Sequence, residues 1–339
     1  MAHYLVTGHT GFKGSWLTLL LKAKGHKVSG IALDPPQESL FERAKISQDL
    51  AHDVRIDVRN REAVIQAFGE IKPDFVIHMA AQALVLEGYR NPRETYEINV
   101  NGTLNVLEAS EISASVRAQI IVTTDKVYEN RGLNRPYVES DPLGGNDPYS
   151  ASKAMADILA QEHLARKGAT PGAVVRAGNV VGAGDYSRGR LIPDFVRANQ
   201  VGAKLTVRHP EATRPWQHVL DCLGGYLLLL DAVDSRGFRG QWNFGPPASQ
   251  TLTVKEVLEI CKRFLPKSTA FASSGPTGVV ENRHLSLNSS KSLTMLGWHN
   301  RYLIEDTIRM ALEEITLESD LQVRDIVLGQ LRNFLANSP

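Results

Sequence analysis

Residues 7–14 read TGHTGFKG. Gly8, Gly11 and Gly14 stand three apart, directly after the short apolar run His3–Thr7 and directly before the apolar stretch 12–24. Glycine permits a tight turn and lets backbone N–H groups approach a pyrophosphate. A helix that starts there adds free donors and the positive end of its dipole. In an isolated loop this spacing would be an ordinary turn. Between a strand and a helix it predicts a dinucleotide site built on Gly8, Gly11, Phe12 and Gly14.

The pattern continues outward from this turn. The stretch 12–24 is apolar nearly all round (Trp16, Leu17, Leu19, Leu20, Leu21), which predicts a buried helix. Lys22 and Lys24 suit its negative end, and Gly25 suits the residue just past it. Segments 28–33, 54–56, 75–78, 119–123 and 173–176 read as further strands, with helical patterns at 93–112 and 148–166. Such alternation predicts an α/β fold, a Rossmann-type doubly wound parallel sheet. We expect it to occupy 1–178, with a later return around 215–245. After residue 178, loops rich in Gly, Pro and Arg dominate, and helical patterns reappear at 217–232, 254–264, 303–318 and 321–336. A smaller, partly interleaved α/β substrate domain is expected over 179–339.

Bulk properties narrow the function classes. The 339 residues are 42% hydrophobic, enough for a sizeable core, and carry a net charge of +1. That charge offers no field for nucleic acid or an acidic membrane. Cys222 and Cys261 alone make neither a disulfide framework nor a metal cluster. The N-terminus shows no basic stretch followed by an apolar one, and apolar runs such as 226–230 are too short to span a bilayer. The expectation is a soluble cytoplasmic protein without a metal.

Two further features carry chemistry. Tyr149 and Lys153, in DPYSASKA, are four apart and share a helix face. An ammonium beside a phenol favours phenolate and makes a base near neutral pH. In VTTDKVYEN (122–130) a buried run ends at once in Thr124, Asp125 and Lys126, which is either a polar strand end or a site for proton transfer. For the cofactor, Asp34 is the acid available to bond a ribose, although the usual position is taken by Ala32. No arginine stands there for a 2′-phosphate, so NAD is expected over NADP. Asp57 and Val58 follow the third strand and can meet the adenine.

The chain resembles the extended short-chain dehydrogenase/reductase superfamily along essentially its whole length. TGHTGFKG, HMAAQ (78–82), NVNGT (99–103), the Thr-Asp stretch, Tyr149-x-x-x-Lys153 and AGNVVGAGD (177–185) fall in the family's order. Within it the chain is most similar to the CDP-glucose 4,6-dehydratases, through TGHTGFKGSW, LDPPQESLFE, TTDKVYEN, DPLGGNDPYSASKA, RAGNVVGAGD, RLIPD and ATRPWQHV. The resemblance implies a lyase in deoxysugar biosynthesis, for example toward lipopolysaccharide O-antigen. Its substrate would be a nucleotide sugar, CDP-D-glucose first among them, and its cofactor a tightly held NAD. In the implied cycle, Tyr149 takes the 4-hydroxyl proton while NAD takes the C4 hydride. The 4-ketone acidifies C5, water leaves across C5 and C6, and the hydride returns to C6.

The resemblance also implies residue roles. Ala80, Ala81 and Asn99 fall to the cofactor, together with Tyr149 and Lys153. Thr124 would bond the 4-oxygen, and Asp125 would be the acid, with its pKa raised by desolvation. Lys126, where the dTDP-glucose enzymes carry glutamate, is either a neutral base or a cation that stabilises the enolate. Gln82, Asn179, Arg190 and Arg214 would meet the substrate, the arginines as forks for its diphosphate. Trp216, His218 and His78 are read as packing residues, Glu129 as a solvated loop residue and Asn288 as a cap. Helices over 95–112 and 148–165 would form a homodimer contact or belong to the core of one chain. The alternatives are a 4-epimerase or reductase, which needs no Asp-Lys pair, a dehydratase of another nucleotide sugar, and a non-enzymatic dinucleotide-binding regulator.

Overall fold

The computed structural model describes residues 1–132, 135–265, 270–273, 284–313 and 320–337. Strands β1 (His3–Thr7), β2 (Lys27–Ala32), β3 (His52–Arg55), β4 (Phe75–His78), β5 (Ala118–Val122), β6 (Gly172–Ala177) and the late β11 (Gly240–Phe244) form one parallel sheet of order β11-β6-β5-β4-β1-β2-β3. The order reverses beside β1, so a crevice opens between the carboxyl ends of β1 and β4, where doubly wound sheets take their ligands.

Helices α1 (Phe12–Ala23), α2 (Leu40–Arg43), α3 (Arg61–Ile71), α4 (Val85–Arg90), α5 (Pro92–Tyr96), α6 (Gly102–Ile112) and α7 (Pro148–Ala165) belong to the first half. Trp16, Leu17, Leu19, Leu20 and Leu21 are all buried, as the all-round apolar pattern predicts. Gly25 takes φ +80° just past the helix, and its N–H reaches the Lys22 carbonyl. The helix expected over 93–112 runs unbroken through residues 92–112 and carries a wide π turn at Glu97–Asn101, where Asn99 is buried. Periodicity alone does not report such a turn.

The later half adds α8 (Leu191–Gln200), α9 (Val219–Arg236), α10 (Val254–Phe264), α11 (Ser290–Leu296), α12 (Ile304–Leu312) and α13 (Asp320–Ala336). The last residues of the 303–318 pattern lie partly outside the described residues. Short strands β7 (Val180–Val181), β8 (Leu205–Val207), β9 (Thr213–Pro215), β10 (Gln217–His218), β12 (Thr251–Thr253) and β13 (Phe271–Ser273) pair as β10–β7, β12–β9 and β13–β8. A second core of Ile192, Phe195, Val207, Trp216, Val257 and Ile308 holds this lobe together. Helices α9 and α13 instead pack Leu223, Tyr226, Val327 and Phe334 into the first core. The chain therefore crosses between lobes several times, and the cleft between them is lined from both.

Candidate active site

One cleft of about 1750 Å³ runs from the glycine turn to the second lobe. Its cofactor end follows from sterics. A Cβ on Gly8 would lie 2.8 Å from the Ala80 nitrogen, and one on Gly14 only 2.1 Å from the Gly8 carbonyl oxygen. Gly8 also takes φ +75°. The β4 end is pinned against this turn by Thr7, whose Oγ1 accepts from the N–H of Met79 (3.1 Å) and Ala80 (3.2 Å). His78 lies between Thr7 (2.7 Å) and Thr103 (3.0 Å), and burial drives its imidazole down to about 3. It is a neutral strut, as expected.

The cradle fits a dinucleotide. The first turn of α1 has no side-chain cap, so its N–H donors face a groove that only glycines leave open. Gly8, Gly11, Phe12, Gly14, Ala80 and Ala81 line it, and Asp57 and Val58 line its far end. Burial alone would raise the Asp57 carboxyl, but hydrogen bonds from Arg59 hold it below its usual range.

Two cofactor expectations need correction. Strand β2 stops at Ala32, and Asp34 is exposed beyond it, outside the cleft; Leu33, Glu38 and Arg43 line that corner instead. Asn99 is fully buried and spends its amide on the protein. Its Nδ2 donates to the Gln82 carbonyl (3.0 Å) and to Ser152 Oγ (2.8 Å), and its Oδ1 accepts from Gln82 N–H (2.9 Å). It braces the cleft wall against α7. Gln82 lines the cleft, and its amide is held by the protein: Nε2 donates to Thr95 Oγ1 (2.9 Å) and Oε1 accepts from the Leu84 N–H (2.5 Å). It clamps the turn that follows β4.

At the catalytic end, Thr124, Asp125, Lys126, Tyr149 and Lys153 all line the cleft. The Tyr149 phenol hydrogen-bonds Thr124, and Thr124 Oγ1 donates to Asp125 Oδ1 at 2.9 Å. Phenol, hydroxyl and carboxyl thus form one continuous chain. Asp125 is 2% exposed and its Oδ2 has no hydrogen-bond partner. Burial pushes its pKa up, against the opposing pull of Lys126, Thr124 and Arg214.

The expected Tyr149–Lys153 coupling takes a different form. Burial pushes the phenol up to about 12, and Thr124 and Arg190 are what draw it back. Lys153, lowered to about 8 by burial, donates to the Val122 carbonyl at 2.8 Å. Helical spacing puts both residues on one face but does not say which acceptor the ammonium takes.

This constellation is held from below. Asp157, one turn beyond Lys153, forms a buried bidentate pair with Arg176 of β6 (2.8 and 2.9 Å) and accepts from Thr123 (2.8 Å). Arg176 also donates to the Tyr128 hydroxyl (3.0 Å), which donates to Asn243 of β11 (2.7 Å). The ends of β5, β6 and β11 and the helix α7 are therefore locked in one register.

On the substrate side, Asn179, Arg190 and Arg214 line the cleft. Asn179 takes φ +41°, a rare conformation outside glycine. Arg190 pairs with Asp185 at 3.2 Å, and Arg214 is 3% exposed. Trp216 and His218 are buried; His218 packs edge-on against Tyr302 and, held neutral by burial, falls to about 3. Glu129 stays outside the cleft, paired with Arg131. Asn288 accepts from the Ser290 N–H beside the start of α11. The sequence reading missed Lys13, Asp185, Arg188, Arg208 and His209, all of which line the cleft. The visible signals were a lysine inside the glycine turn and the arginine-rich loops after residue 178.

Comparison with known proteins bears on the family and the fold. Residues 4–245 match the model of the NAD dependent epimerase/dehydratase family. The chain is 39% identical over 315 residues to a CDP-glucose 4,6-dehydratase of Salmonella typhimurium, covering 89% of this chain and 87% of that one. It is 27% identical to a UDP-glucose 4-epimerase of Halalkalibacterium halodurans, over 88% of this chain and 90% of that one. Among solved structures, the dTDP-glucose 4,6-dehydratase of Bacillus anthracis in complex with NAD superposes with a TM-score of 0.79 at 25% identity, over 92% of this chain and 96% of that one.

Proposed function

The chain belongs to the NAD dependent epimerase/dehydratase family, and from that premise we propose that it is a hydro-lyase converting CDP-D-glucose to its 4-keto-6-deoxy product. The observation that carries this reading is the chain Tyr149–Thr124–Asp125, which joins a phenol at the cofactor end to a buried carboxyl held above its ordinary pKa. The choice of CDP-glucose rests on the 39% identical relative. A 4-epimerase needs a base for the 4-hydroxyl but leaves a buried acid beside it without work.

Bound NAD would supply a hydride acceptor for C4 and a hydride donor for C6, and its positive charge would join that of Lys153 in favouring the Tyr149 phenolate. The glycine turn and the start of α1 would hold its pyrophosphate, with Asp57 and Val58 at the adenine end and Ala80, Ala81 and Lys153 at the other. Tyr149 takes the proton of the 4-hydroxyl, with Thr124 bonding the same oxygen. Asp125, protonated at the partner-free Oδ2, gives that proton to the departing 6-hydroxyl. Lys126, next to it on the same short turn, is the base that takes the C5 proton; the ammonium so formed stabilises the enolate and gives the proton back to C5 as hydride is returned at C6. Arg190 and Arg214 fork the diphosphate, Asn179 bonds the sugar, and the smaller lobe built around Ile192, Phe195 and Trp216 holds the nucleotide.

We further propose a cytoplasmic homodimer. Ile112 of α6 and Met155 and Ile158 of α7 are 60%, 49% and 54% exposed, and would form an apolar face between two copies. The two buried free thiols suit a reducing compartment. No described helix is long and apolar enough to cross a membrane.

The test is mass spectrometry of the protein incubated with NAD and, separately, CDP-, dTDP-, UDP- and GDP-glucose and GDP-mannose. Loss of one water from CDP-glucose, without net NADH, is expected. Loss from another nucleotide sugar would overturn the base choice. No mass change with any of them would overturn the dehydratase reading.

A further inference from the structure

Lys13 stands inside the glycine turn, on the first turn of α1, and lines the cleft. Its Nζ donates to the Tyr226 hydroxyl of α9 at 2.9 Å and lies 4.7 Å from the centre of that ring. Lys13 lines the cleft, and Tyr226 is buried behind it. Lys13 feels the Asp125 carboxyl and the Arg190 guanidinium, Lys153 feels Lys13, and Tyr226 feels both Tyr149 and Asp125. The thiol of Cys222 bonds to the same pair. Burial draws Lys13 below the ordinary lysine range, while Cys222 and Asp125 hold it up. A second lysine–tyrosine pair thus lies within electrostatic reach of Tyr149 and Lys153.

An oxidised nicotinamide carries a positive charge and a reduced one carries none. A fixed cation in a partly dry cleft therefore discriminates between the two forms. We propose that Lys13, anchored by Tyr226, is an electrostatic residue of the cofactor site that favours the reduced cofactor over the oxidised one. Its charge makes C4 oxidation more favourable and keeps the reduced cofactor bound until hydrogen is returned at C6. This inference rests on the dinucleotide reading of the cleft.

The test reads affinity and does not depend on turnover. The full-length protein is titrated with NADH by nicotinamide fluorescence, and NAD is then added as competitor. The wild type is expected to bind NADH about tenfold or more tighter than NAD. Lys13→Met should cut that ratio by about tenfold, and Lys13→Arg should keep it. A purely structural role would weaken both nucleotides together and leave the ratio unchanged, which would overturn the proposal. If the methionine variant does not fold, Lys13→Gln, whose amide can still bond Tyr226, is measured in its place. If neither folds, a wild-type ratio near one is sufficient to overturn the proposal and a ratio of ten or more supports it. Binding of neither nucleotide would overturn the cofactor reading, and this inference with it.

Discussion

A Cβ placed on Gly178 would fall 1.9 Å from Asp125 Oδ2 and 2.2 Å from its Cγ. The carboxyl at the end of β5 thus occupies the space that any side chain at the end of β6 would fill. Gly178→Ala must push Asp125 out of its seat. It should lower kcat by about a hundredfold, because small displacements of a reacting group are costly, while NAD affinity stays near wild type. Steady-state kinetics alongside NAD titration checks this; unchanged kcat would show that the seat of Asp125 is not needed.

Thr124 is the middle link between Tyr149 and Asp125. Thr124→Val keeps the shape and removes the hydroxyl. A loss in kcat of about 10²-fold or more is expected, the scale of one positioned proton-transfer group, with Thr124→Ser restoring most of it. Equal activity in the valine and serine variants would break the proposed chain.

Tyr149→Phe should abolish reduction of NAD while substrate still binds. Asp125→Asn should slow water loss more than C4 oxidation. The nicotinamide absorbance of the asparagine variant should then rise transiently during a single turnover in a stopped-flow experiment. A flat trace, with oxidation still fast, would remove Asp125 as the acid.

The Arg176–Asp157 pair is buried on both sides, with side chains 1% and 0% exposed. Removing only one partner leaves an uncompensated charge, a loss of about 3–5 kcal/mol for such pairs. Arg176→Met should therefore destabilise the fold strongly, and Arg176→Met with Asp157→Leu should recover much of the loss. Denaturant melts of the three proteins decide it; additive losses would contradict the pairing.

Asp221 on α9 is buried, and that burial raises it from 3.8 to about 6, while it accepts from the Tyr302 N–H at 3.1 Å. The folded state therefore prefers the neutral acid. Its stabilising contribution is full below about pH 4, the unfolded value, and is lost as pH rises through about 6. Asp221→Asn should raise stability at pH 8 by on the order of 2–3 kcal/mol relative to pH 4, at 1.36 kcal/mol per unit. Urea melts at the two pH values would show it, and a pH-independent difference would refute it.

Much of this protein was legible because local rules were strong. TGHTGFKG specified a turn that only glycine can make, the all-round apolar face of α1 specified burial, and β1, β4 and α10 fell at the expected residues. Thr124, Asp125, Tyr149 and Lys153 were named from spacing and resemblance, and all of them face one cleft. Asp34 was misjudged because strand ends shift by a residue or two, and two residues carry a side chain out of a site. Asn99 is buried behind the cleft wall while Gln82 lines the cleft, a difference invisible in sequence, where a polar side chain near a site looks the same whether it meets a ligand or its neighbours.

The sequence by itself determined the order of the strands' chemistry: a glycine turn first, a Thr-Asp-Lys strand end next, a Tyr–Lys helix after it, and arginine-rich loops last. Each depends on residues within a few positions of one another, where backbone sterics and periodicity act. Only the tertiary structure decided which of these groups share protons and charge. Asp125 fits because of Gly178, Lys153 turns to the Val122 carbonyl, and Lys13 meets Tyr226 across 213 residues. Desolvation and hydrogen-bond partners come from packing, and packing joins parts of the chain whose separation in sequence carries no signal of their contact.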